Sequence, residues 1–137
     1  MKNETYLSIV RASAIYDLVV TFPFAFPILA LFNITFLTDI HENYLFSGTF
    51  PEFLPIHLLF VNFMGCLVIV WSVLRMSKPY AFLGLYDSYA RFLFSFTMLY
   101  YLLVHDVTGI LWLFFIPELT WGSIQFFGYY YRDNEST

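Results

Sequence analysis

Four ionisable side chains stand among apolar neighbours: Asp17, Asp87, Arg91 and Glu118. Asn62, Gln125 and the hydroxyl of Thr21 sit in similar surroundings. A charge in such a setting is costly, so each requires a partner, a ligand or a proton. Asp87 and Arg91 have the i, i+4 spacing at which an acid and a base meet on one helical face. Such a pair can serve only to neutralise itself and fix helix register. Three carboxylates against one guanidinium still leave negative charge uncompensated. Asp17 and Glu118, the acids without an adjacent arginine, are therefore candidates to exchange a proton or hold a cation. Asn62, Gln125 and Thr21 would line the same layer. Arg11 lies near the interface and points away from Asp17, so it is poorly placed as a second partner.

Other chemistries lack their residues. A single cysteine, Cys66, allows neither an intramolecular disulfide nor a cysteine-based zinc site. There is no Gly-x-Ser-x-Gly elbow and no phosphate-cradling glycine loop. His57 and His105 fall at similar depth, where a two-histidine haem or metal site is geometrically conceivable. No further feature supports it, and neither metal nor cofactor is expected. The balance leans away from an enzyme.

The elements that position these residues follow from composition. Of 137 residues, 60% are hydrophobic and 12% charged. Mean hydropathy is +0.70. A soluble domain carries roughly a quarter charged residues. A water-soluble globule and a disordered tail are thereby excluded. Six Lys and Arg against ten Asp and Glu leave no basic footprint for nucleic acid. An integral membrane protein, with the lipid bilayer as its partner, remains.

A spanning helix needs about 20 apolar residues, and four stretches qualify, near 7–32, 54–74, 80–104 and 107–129. The expected fold is all-α: a single transmembrane domain, residues 1–137, of four helices in an antiparallel bundle, with an outer loop over 33–53. Lys2, Arg11, Arg75, Lys78 and Arg132 fall on one side, and the other two connections carry only acids. Both termini are therefore expected to be cytoplasmic, in an inner (plasma) membrane. Ala12, Ser13 and Ala14 precede the apolar run, so span one is expected to remain as an uncleaved anchor. Glycosylation-like triplets begin at Asn3, Asn33 and Asn134, and only the second would face outward.

Helical rise places Asp17 and Arg91 roughly 14–16 Å from the cytoplasmic side, and Glu118 roughly 16 Å from the other. Stripes of small and polar residues accompany them: Ser13, Asp17 and Thr21; Asn62, Gly65 and Cys66; Gly84, Asp87, Ser88, Arg91 and Ser95; Glu118, Gly122 and Gln125. The groups can thus share one central layer. Pro23 and Pro27 should bend or loosen span one beside it.

Asp17 followed by Pro23, Phe24 and Pro27 resembles the acid-then-proline-aromatic segment of EXPERA-type membrane proteins. That resemblance implies an acid facing an amine or carbocation, and an intramembrane isomerase as one reading. The layout, with residues 55–62 and 86–94, is similar to small four-helix DoxX-like bacterial inner-membrane proteins, to which no activity is attached. Arg11 and Asp17 are spaced similarly to the arginine and acid of the proteobacterial antimicrobial compound efflux type, without the histidine that type carries between them.

Two readings stand together. In one, the layer binds a hydrophobic or cationic small molecule, with proton-coupled transport or drug tolerance as the outcome. In the other, the chain is a non-catalytic accessory subunit of a membrane complex. A thin bundle also favours a homodimer.

Overall fold

A computed structural model describes residues 1–133, so the triplet beginning at Asn134 lies outside it. The described residues are all-α, with five α-helices. Helix α1 (Asn3–Thr21) leads through a 3-10 turn (Phe22–Ala25) into α2 (Pro27–Asn43); α3 (Pro55–Ser77), α4 (Ala81–Val104) and α5 (Leu111–Tyr130) follow.

The continuous helix expected over 7–32 is instead two helices. Pro23 and Pro27 lack the N–H groups that would pair with the carbonyls of Val19 and Pro23, so two successive turns lose a bond. Steric exclusion ahead of a proline keeps Phe26 extended, at φ −114° and ψ 128°. Pro27 then opens α2, the position at which a missing N–H costs nothing. Helix α2 continues to Asn43. The outer connection expected over 33–53 is therefore largely helical, and only 44–54 forms the loop.

Helix α3 cradles this break. Asn62 Nδ2 donates to the Phe24 carbonyl at 2.8 Å, and Cys66 Sγ lies 3.7 Å from the Ala25 carbonyl. Gly65 lets the two backbones touch: a Cβ there would stand 2.6 Å from the Phe24 carbonyl carbon. Helices α4 and α5 form the most extensive helix pair. Gly122 admits the Arg91 and Phe92 side chains between them.

Polarity is inverted relative to a protein folded in water. Buried polar residues, among them Ser13, Asp17, Ser72, Arg75, Asp87, Ser88, Arg91 and Gln125, outnumber buried apolar ones. Leu93, Phe96, Leu103 and Val70 are each about two-thirds exposed or more. An outer surface of this kind suits hydrocarbon. Among the described residues, two helical segments are long and apolar enough to cross a membrane, Asn3–Ala25 and Pro55–Ser77. Helix α2, at 17 residues, is short for a span. Helices α4 and α5 have 24 and 20 residues, but Asp87, Arg91, Pro117, Glu118 and several tyrosines reduce their apolar character.

Candidate functional site

Arg75 organises the polar centre. Sequence reasoning ended the second span at 74 and treated Arg75 as a loop charge. Helix α3 instead runs on to Ser77, and the Arg75 side chain is 0% exposed. Its NH2 donates to Asp17 Oδ2 and its NH1 to Asp87 Oδ2, both at 2.5 Å. Arg91 lies opposite. Its Nε donates to Asp87 Oδ2 at 2.9 Å, its NH2 to Asp17 Oδ2 at 2.6 Å, and its NH1 to Glu118 Oε1 at 3.0 Å. Two planar forks thus bridge acids from α1, α4 and α5, an arrangement for which a lysine's point charge is no substitute.

Charge bookkeeping changes accordingly. Two guanidinium groups, not one, face three carboxylates. Arg11, the other candidate partner, is exposed. Asp17 and Asp87 each share both arginines; Asp87 Oδ1 also accepts from Trp71 Nε1 at 2.7 Å. Among the described residues Glu118 pairs with Arg91 alone, and it is the most open member, its side chain 21% exposed against 5% for Asp87 and 11% for Asp17. The formal sum is one negative charge. Among the described residues, Asp17 Oδ1 and Glu118 Oε2 receive no hydrogen bond. Trp121, one turn along α5 from Glu118, meets the Tyr16 ring at 6.1 Å.

The remaining sequence candidates take varied places. Gln125 is fully buried, and its Nε2 donates to Ser13 Oγ at 2.6 Å. Ser13 Oγ also accepts from Arg75 NH1 at 3.2 Å, which couples Gln125 to the cluster. Among the described residues, Gln125 Oε1, Arg75 Nε and Ser72 Oγ are buried without a partner, so the layer is not saturated. Asn62 lies away from the cluster, engaged at the helix break. Thr21 donates its hydroxyl to the Asp17 carbonyl and lines an apolar cleft of about 390 Å³ with Phe24, Phe60, Met64 and Gly65. The stripe from Gly84 through Asp87, Ser88 and Arg91 to Ser95 is buried throughout.

Arg75 and Trp71 are the residues that sequence reasoning missed. The signal was present: Gly65, Ser72 and Arg75 fall on one helical face, which is the face α3 buries. With Arg75 inside the bundle, Lys2, Lys78 and Arg132 are the basic residues beyond the helix ends, and Arg11 lies within α1. Among the described residues, no group of three His, Cys, Asp or Glu side chains could hold a metal ion. No family model, curated protein or solved structure matches the chain.

Proposed function

We propose that the chain is a four-span inner-membrane protein, termini cytoplasmic, whose central layer binds a hydrophobic, cationic small molecule or a proton at Glu118. Helices α4 and α5 span in this reading because their charged residues turn inward and pair while their outer faces stay apolar. At ~1.5 Å per residue, both reach roughly the 30 Å of a hydrocarbon core. The carrying observation is the imbalance within the cluster: three carboxylates share two arginines, and among the described residues Glu118 pairs with only one of them. Asp17, the acid favoured by sequence alone, is saturated on one oxygen by both guanidinium groups. The ligand role therefore passes to Glu118, with the Tyr16 and Trp121 rings as apolar neighbours. One cation would bring the layer to neutrality, which is the electrostatic reason for uptake. The DoxX-like layout agrees with this reading and carries no activity of its own.

The test is infrared spectroscopy of the purified protein across roughly pH 5–9, where ordinary carboxylates stay ionised. A protonated carboxyl band that shifts on adding a hydrophobic amine and disappears in Glu118→Gln is expected. A band untouched by Glu118→Gln and by the amine overturns the assignment.

One observation favours a second reading, an accessory subunit with no ligand. Arg75 is completely enclosed, and the cluster ties α1, α3, α4 and α5 together. In that case Glu118→Gln leaves the spectrum and partner assembly unchanged, while loss of Arg75 abolishes both fold and assembly.

A further inference from the structure

Away from the central layer, a cleft of about 770 Å³ opens between α2 and the loop that follows it. This volume falls within the ~300–1,000 Å³ typical of small-molecule sites. Leu31, Ile34, Thr38 and His41 line one wall and recur at helical spacing along one face of α2. The helix break gives α2 its own direction, so this face meets the 48–53 segment. The His41 ring lies 5.8 Å from Phe50, and Phe50 lies 6.3 Å from Phe53, which makes a continuous aromatic wall. His41 Nδ1 and Thr108 Oγ1 share a hydrogen bond of 2.8 Å that holds the ring.

The far wall is fixed as well. Gly48 has φ +80°, a region that other L residues rarely adopt, and a Cβ there would run into the Val107 backbone. Thr49 N–H donates to the Asp106 carbonyl at 3.0 Å, and Gly109 N–H to the Ser47 carbonyl at 2.7 Å. The loop is thus clasped to the connection between α4 and α5, and the cleft is a built feature.

Its charge has one sign. Glu42 and Glu52 both line the cleft, and among the described residues neither forms an ion pair or side-chain hydrogen bond. No Lys or Arg occurs anywhere in 12–74. Two unpaired carboxylates beside three rings are complementary to a cation with an apolar body, because ring faces and carboxylates both attract positive charge.

We infer that this cleft binds a monovalent organic cation with an aromatic or branched apolar body, held between Glu42 and Glu52 and against His41, Phe50 and Phe53. The site is separate from the central cluster and stands whether or not Glu118 binds a ligand.

The experiment is equilibrium dialysis of tetraphenylphosphonium against the full chain carrying Glu118→Gln, which silences the central layer, in nanodiscs, with triphenylphosphine oxide as the neutral counterpart. Saturable one-site binding is expected, about 10-fold weaker for the neutral compound. The exposed pair Glu42→Gln/Glu52→Gln should weaken cation binding about 10-fold, with helical circular dichroism unchanged. Phe50→Ala should weaken it several-fold. Absence of saturable binding overturns the inference, as does unchanged affinity in the double variant.

Discussion

At the centre of the helices, Asp17 and Asp87 each accept from two guanidinium groups, on side chains held by regular helical backbone. Between α2 and α3, Glu42 and Glu52 have no basic partner among the described residues and stand on or beside a loop with two left-handed residues, Leu45 and Gly48. The centre combines costly charges with mutual pairing. The outer cleft combines inexpensive, hydrated charges with no pairing at all. The contrast follows from surroundings: an unpaired charge in a water-poor interior is strongly destabilising, whereas water solvates it at a rim. Pairing at the centre is thus a condition of folding, and unpaired acids at the rim remain free to meet a ligand.

Arg75→Ala breaks this comparison most severely. It leaves two aspartates to share Arg91 and should cost about 3–5 kcal/mol, the range for removing one partner of a buried pair. Thermal unfolding in detergent, followed by circular dichroism, reads this directly. Arg75→Lys should recover only part of the loss, because an ammonium lacks the fork that reaches both acids. Full recovery would show that charge alone matters there.

Gly65→Val sharpens the role of the cradle between the two regions. Its side chain would collide with the Phe24 and Ala25 backbone, which cannot move as a flexible side chain would. A loss of about 1–3 kcal/mol is expected, as for overpacking elsewhere. Protease accessibility near Phe26 should rise with it. A stable variant with unchanged accessibility would mean that the break does not depend on contact with α3.

Thr49→Val is the mildest of the three. It removes the hydrogen bond from Thr49 Oγ1 to Asp106 Oδ2, at 3.0 Å on an exposed surface. A stability change under ~1 kcal/mol is expected, with faster amide exchange confined to the outer loop. Exchange spreading into α4 and α5 would show that the two regions are mechanically joined.

The stripes on α1, α4 and α5 were legible because helical periodicity is a local property. Ser13 with Asp17, Gly84 through Ser95, and Gly122 with Gln125 are buried faces that spacing alone identifies. The proline break was half legible: Pro23 and Pro27 announce a disturbance, but a kink and a complete break share the same local chemistry. Asn62, Gly65 and Cys66 on α3 select the break by meeting its carbonyls and backbone. Arg75 was hidden by its place at the end of an apolar run, beside Lys78, where a basic residue ordinarily marks a loop.

Composition and periodicity by themselves determined the all-α class, the inverted polarity and which residues on α1, α4 and α5 face inward, since these depend on near neighbours along the chain. Tertiary structure alone decided which charges meet. Asp17 and Arg75 are brought to 2.5 Å from distant positions by packing of α1 on α3, and Arg91 reaches Glu118 through the α4–α5 contact. Electrostatic pairing depends on distance in space, and helical spacing carries no information about which face of another helix will arrive opposite.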